Sequence, residues 1–323
     1  MTAYFIRRLL GIAPLLIGIT FISFFVIHLA PGNVVDAQGA FNTKMSPEAR
    51  QKLTQIYGLD KPVWVQYKEW LTRLIKMDLG NSFADGASVK KKIARAIPVT
   101  LAINGLSLFF ILLIGIPLGV WCAARSGSFF DRAAGFFVFA GFSVPTFWLA
   151  LLLMALLGVQ WRWLPVSGLT SIFFDEMSFW EKVLDIAKHL VLPVLVSSIT
   201  GIAVISRFIR SSVIHELSQN YVRTARAKGL SESVVLRRHV LRNALLPVIT
   251  ILGLSVPGLL GGSVLFESIF SLPGMGRLFY ASIFTRDYPV IMGILVLGAV
   301  MTLLGNLLAD MAYAASDPRI KLR

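Results

Sequence analysis

Six stretches of this chain run for seventeen residues or more without an Asp, Glu, Lys or Arg: 9–27, 98–124, 133–160, 190–206, 244–266 and 288–309. A bilayer core about 30 Å thick is crossed by roughly 20 apolar helical residues. One charge at the centre of such a helix costs roughly 2.5–3.5 kcal/mol. Uncharged runs of this length therefore predict an all-α, polytopic membrane protein with six transmembrane helices in one domain over 1–323. The fourth run is the shortest and gives the weakest signal. Composition agrees, because the chain is 56% hydrophobic and 15% charged with mean hydropathy +0.73. A soluble domain carries about 25% charge.

The first run follows Arg7 and Arg8, a flank that a secretory leader would share. A leader's apolar region spans only about 7–15 residues, and the small residues Ala37 and Gly39 make a distant, poor cleavage site. The first helix is expected to be retained. Cys122, the single cysteine, lies within the second run, which excludes an intrachain disulfide and argues against redox chemistry.

Positive charge sets orientation, since cytoplasmic loops carry the excess of Lys and Arg. Residues 207–242 hold eight Lys or Arg against two Glu, the 125–132 link adds Arg125 and Arg132, and the tail adds Arg319, Lys321 and Arg323. With Arg7 and Arg8, these place both termini and the 207–243 loop in the cytoplasm. Lys90, Lys91, Lys92 and Arg95 pull the other way, at the end of the 31–97 loop. Long loops cross largely regardless of charge, so that loop is expected outside. The net charge of +14 is then mostly topology. A nucleic-acid partner would demand a clustered basic domain.

Within the 31–97 loop, Ser46-Pro47-Glu48 reads as an N-cap with Pro at N1, opening a helix that ends near Tyr57-Gly58. Trp64, Tyr67, Trp70 and Leu71 recur at helical spacing and predict a second, amphipathic helix. This loop suits a cap over the bundle, a docking surface for a soluble partner, or both. Inside the runs, Pro14, Pro117, Pro145, Pro193 and Pro257 each remove a backbone hydrogen bond and invite a kink. Ser143 and Thr146 flank Pro145 and could line a polar pathway, or bond back to their own helix. Asn104, Ser255 and Asn306 are further pathway candidates, and such residues equally serve as interhelical glue. Glu267, at the end of the fifth run, could receive a charged substrate or pair locally with Arg277 or Arg286.

The stretch NYVRTARAKGLSE (220–232) stands out between apolar runs. Tyr221, Val222, Ala225 and Gly229 fall on one helical stripe, with Arg223, Arg226 and Lys228 off it. Gly229 can take φ > 0 and close the helix, Lys228 suits its C-terminal dipole, and Ser231 can cap the next helix. A short basic helix at the membrane surface could be gripped by a partner. The same charges would also suit a loop that only sets topology.

Residues 221–250 (YVRTARAKGLSESVVLRRHVLRNALLPVIT) resemble the cytoplasmic block of dipeptide, oligopeptide and nickel permease subunits of ATP-binding-cassette importers. The block is a variant of the Glu-Ala-Ala…Gly motif. It keeps Ala225 and Gly229, with Arg223 in place of the Glu and Thr224 in place of the first Ala. Further blocks agree in order: 7–33, 57–71, 141–153, 268–291 and DPRI at 317–320. The resemblance is closest to the dipeptide-permease B type. It implies a type I importer permease fold in the bacterial inner membrane, paired with a homologous second permease. It also implies two ATPase subunits and an external substrate-binding protein. Contact with the ATPase would fall to Tyr221, Arg223, Ala225, Arg226, Lys228 and Gly229. The cargo implied is di- or oligopeptide, with nickel, metallophore or glutathione as the alternative.

The chain has no G-x-x-x-x-G-K-[ST] phosphate loop, so ATP and Mg are expected on partner subunits and no catalytic residue, cofactor or metal site is expected here. An ion-coupled secondary transporter would carry ionisable groups within its spans, and these runs have none. A membrane enzyme would need a converging constellation, whereas His28, His189, His215 and His239 are scattered without metal-ligand spacing.

Overall fold

The computed structural model describes residues 2–36 and 46–316. Ala37, Gly39, the tail charges Arg319, Lys321 and Arg323, and the 317–320 block lie outside the described residues. Among the described residues there is no strand, only one isolated antiparallel bridge, Asn81 to Ser88.

The chain begins with α1 (Thr2–Leu29), a peripheral helix whose Leu15, Ile22 and Val26 remain exposed. Two short helices follow. In α2 (Pro47–Ile56) the Ser46 hydroxyl accepts from the Ala49 N–H, as the capping signature predicts, and Gly58 turns the chain at φ +66°. In α3 (Val63–Ile75) Trp70 is buried with Phe24 of α1, and Val63, Tyr67, Leu71 and Leu74 pack around them. Trp64 stays 63% exposed, so the inward stripe starts at Val63 instead.

Two helices far longer than a bilayer organise the bundle. Helix α4 (Val89–Ala124) has 36 residues, about 54 Å, and α7 (Phe179–Leu217) has 39, about 58 Å. They run parallel at close range. A Cβ on Gly119 would sit 2.5 Å from the Ser206 carbonyl oxygen, and one on Gly201 would run into the Ile111 side chain. Small residues at such contacts let membrane helices approach closely, where packing replaces the missing hydrophobic drive. The run at 190–206, the shortest in the sequence, belongs to the 39-residue α7 and lies largely inside protein rather than in lipid. Over half of its membrane-crossing window is buried, more than in any other described span.

Two expected spans are broken. Residues 133–160 form α5 (Phe129–Ser143) and α6 (Thr146–Leu153), the latter continuing as a π-helical turn over Met154–Gln160. The two halves bend by 97° at Val144-Pro145, the site of an expected kink. The fifth run gives α10 (Leu246–Gly261), 16 residues or about 24 Å. Gly262 at φ +66° ends it, and α11 (Val264–Ile269) turns off behind the Ser263 cap. Any side chain at Gly262 would strike the backbone N of Gly276, 2.5 Å away. Then come α12 (Met275–Phe284) and α13 (Tyr288–Ser316). Among the described residues four helices are thus long and apolar enough to cross a membrane, five counting the bent pair. The count of six is not reached by length.

Between α7 and α10 lie α8 (Asn220–Ala227) and α9, a composite of Glu232–Val234, a π-helical turn Val235–Val240, and Leu241–Ala244. These define one end of the bundle, here the basic end. The opposite, cap end gathers α2, α3, α11, α12 and the first turns of α4. Lys90, Lys91, Lys92 and Arg95 belong to those turns, since α4 already begins at Val89.

Candidate coupling surface and pathway residues

Helix α8 exists because eight residues carry one apolar edge and a terminator. Val222 and Ala225 are 0% and 6% exposed, packed in one cluster with Ile209 and Val213 of α7, Val235, Val240 and Ala244 of α9, Ala123 of α4 and Val248 of α10. Gly229 takes φ +78°, the left-handed turn that closes the helix. The Ser231 hydroxyl makes no capping bond; its carbonyl accepts from Val234 and Val235 N–H instead. Glu232 is taken up by Arg226, whose Nε and Nη2 lie 2.7 and 3.0 Å from its two oxygens. That guanidinium holds the Glu232 carboxyl below its usual value. The Tyr221 hydroxyl donates to Glu216 at 2.6 Å, and desolvation, then this bond, push its titration upward.

Tyr221, Arg223, Arg226, Lys228 and Gly229 therefore lie on the exposed side of α8. Ala225 does not. The motif resemblance puts it on the contact surface, but it faces the core, where its small side chain lets α8 lie close to α7.

The pathway candidates fall into separate places. Asn104 Nδ2 donates to the carbonyls of Gly258 and Leu259, at 2.9 and 3.3 Å. These are among the last carbonyls of α10, which have no partner inside their own helix. Asn104 acts there as interhelical glue. Ser255, one turn earlier on α10, bonds back to Ile251, and Ser143 bonds back to Phe139. Ser143 and Thr146 sit exposed on either side of the α5–α6 break. Asn306 is half-exposed on α13. Glu267 is no mouth residue. It is 2% exposed, and its oxygens accept from the Thr100 hydroxyl at 2.9 Å and the Arg277 backbone N–H at 2.9 Å. The expected pairing with an arginine side chain is replaced by this backbone contact, while the Arg286 guanidinium reaches the Gly32 carbonyl.

A family described as the binding-protein-dependent transport system inner membrane component matches residues 115–322, and its N-terminal counterpart matches 1–104. The chain belongs to this permease family. It is 42% identical over 322 residues to the oligopeptide transport system permease protein AppB of Bacillus subtilis, covering 99% of this chain and 100% of that one. It is 38% identical over 337 residues to the dipeptide transport system permease protein DppB of Escherichia coli K12, covering 99% of each. Among solved structures it resembles the MetNI methionine ABC transporter in an inward-facing conformation. That likeness has a TM-score of 0.53 at 19% identity, over 71% of this chain and 97% of that one. It supports the type I importer permease fold. Membership makes this a multi-pass inner membrane protein that works with a substrate-binding protein and an ATPase.

The permease is also pinned by acids that run-counting passes over, because each lies just beyond or at the edge of an uncharged run. Asp131, at the start of α5, takes a two-pronged bond from Arg210 of α7, at 2.6 and 2.7 Å, and the Gly127 N–H at 2.9 Å. Asp185 holds the Ser171 N–H and hydroxyl at 2.8 and 2.5 Å, tying the 161–178 loop to α7. Asp287, 1% exposed, accepts from the Ser82 hydroxyl and, at 2.9 Å, from the Phe83 N–H. Lys92 bridges Asp85 at 2.7 Å and Asp287 at 3.9 Å. One member of the basic cluster at 90–95 is thus a cap-end ion-pair partner. The sequence signal is an Asp near a span end, beside Arg132 for Asp131 and Arg286 for Asp287 and between Leu184 and Ile186 for Asp185.

Proposed function

We propose that this permease forms half of a peptide pathway with a homologous second permease, and that α8 is the element two ATPase subunits grip, one through each permease. The observation that carries this is the two-sidedness of α8. Its apolar edge belongs to the same buried cluster as α4, α7, α9 and α10, while Tyr221, Arg223, Arg226 and Lys228 face outward on the other side. A push on the exposed side would therefore move the spans as a packed unit, since close-packed interiors transmit displacement. ATP with Mg would bind on the ATPases. Their closure would draw the α8 helices together and turn the pathway outward, and hydrolysis would reset it. Eight Lys or Arg in 207–242 support a cytoplasmic basic end and cytoplasmic termini. Peptide as cargo rests on relatives named for oligopeptide and dipeptide transport.

The test is purification of the intact assembly in mild detergent with its ATPase rate and peptide uptake in proteoliposomes. Expected is a complex of two permeases and two ATPases whose activity collapses in Gly229→Trp while assembly into the membrane persists. A lone chain that transports without ATP would overturn the proposal.

A further inference from the structure

At the basic end, α5 and α7 leave a cleft of about 330 Å³ between them, bordered by Arg132, Arg207, Arg210 and Asp131. Asp131 is already committed to Arg210. Arg132 and Arg207 are exposed and have no carboxylate partner among the described residues. The cleft thus carries two uncompensated guanidinium groups. Along the same two helices it runs into a second groove of about 360 Å³, lined by Val138, Phe139, Phe142, Phe208 and neighbours, with Arg207 and Phe139 shared by both.

Depth decides what such a site suits. Arg132 immediately precedes the uncharged run 133–160, and Arg207 immediately follows 190–206. Both therefore stand where span meets water, at headgroup level with Phe208 beside them, while Phe139 and Phe142 extend from them toward the apolar core. We propose that the α5–α7 groove is a binding site for an anionic phospholipid. Its phosphate is held by Arg132 and Arg207, and one acyl chain lies against Phe139, Phe142 and Phe208. Guanidinium groups match phosphate oxygens in a planar fork, and basic pockets between membrane helices take acidic headgroups. The Asp131–Arg210 pair shapes the floor, and its guanidinium neutralises the one carboxylate in the lining that would otherwise repel the phosphate. Because the groove joins the broken span α5 to the central helix α7, bound lipid would brace these two helices against each other.

The experiment uses the delipidated, intact complex titrated with phosphatidylglycerol or phosphatidylcholine and followed by native mass spectrometry. Wild type is expected to retain phosphatidylglycerol in preference to phosphatidylcholine. The Arg132→Gln/Arg207→Gln double variant is expected to weaken phosphatidylglycerol binding roughly 30-fold, from two basic groups near the surface. Phosphatidylcholine binding should not change, and Arg132→Lys/Arg207→Lys should keep most of the preference. Equal retention of both lipids by wild type, or an unchanged titration in the double Gln variant, would overturn the site. Quantitative cross-linking of Phe142→Cys or Phe208→Cys to the second permease would also overturn it, as would their labelling by a photoreactive peptide, since another occupant would then fill the groove.

Discussion

Glu267 and Asp287, both at the cap end, are 2% and 1% exposed and accept hydrogen bonds from Thr100 and Phe83, 167 and 204 positions away in the chain. At the basic end an apolar cluster runs from Ala123 to Val248 and the charges of α8 stand outside it, with Asp131 the buried acid nearby. One end uses its acids internally to lock loops onto helices. The other has, among the described residues, a single such acid, Asp131 held by Arg210, and keeps the cations of α8 on the surface. Buried, fully bonded polar groups specify one arrangement, because any displacement strands a donor in low dielectric. An apolar cluster strands no donor when it is displaced, so it can move as one packed unit. The cap end is built to hold its shape, and the basic end to be moved and touched.

Substitutions can break this contrast, the largest at the cap end. Asp287→Ala leaves the Ser82 hydroxyl and the buried Phe83 N–H without their acceptor, while Lys92 keeps Asp85, and is expected to destabilise the complex by about 2–5 kcal/mol. Its thermal unfolding midpoint in nanodiscs checks this, and limited proteolysis should cut first within 46–88. Glu267→Gln keeps an acceptor for Thr100 but weakens the bond from the Arg277 N–H, with an expected cost of about 1–3 kcal/mol. The same midpoint reads it, with Thr100→Val as a non-additive partner in a double-mutant cycle. At the basic end Gly229→Ala meets no atom within 4 Å but must hold φ +78°. The expected cost is about 1–2 kcal/mol, confined to α8. ATP turnover should fall with the global midpoint barely changed, and an equal loss of both would erase the contrast.

The smallest effect is in pH. The Lys92 ammonium, bonded to the Asp85 carboxyl, lowers its pKa from 3.8 to about 2. The folded state thus binds this proton less readily than the unfolded chain does. The stability contributed is fully present above 3.8 and is lost as pH falls toward 2. A Lys92→Met variant should flatten that acid limb while leaving the stability profile near neutral pH parallel to wild type, as a pH series of midpoints would show.

Features that depend on near neighbours are legible in the residues themselves. The α2 cap at Ser46, the left-handed Gly229 and the basic, solvent-facing residues of α8 all follow from spacings of a few residues. Where distant partners decide, the same reading fails. Glu267 reads as either a substrate contact or a local partner of Arg277 or Arg286, and nothing near it in sequence announces Thr100 or that Arg277 answers through its backbone. Ala225 reads as surface because the cluster that covers it comes from other helices. The run at 190–206 reads as weakest because its flanking charges leave it short, yet its helix spans 39 residues and over half of its membrane-crossing window is shielded by protein.

The sequence alone determined that the chain crosses a membrane repeatedly, since charge-free runs of this length admit no cheaper solvent than lipid and neighbouring helices. It also determined that one short basic helix interrupts them. Only the tertiary structure decided that α4 and α7 form the centre, that Pro145 and Gly262 break spans rather than bend them, and that the cap is locked by buried acids. The reason is physical: hydrophobic transfer is a local sum over residues, whereas close packing and polar satisfaction depend on which distant groups the fold brings within about 3 Å.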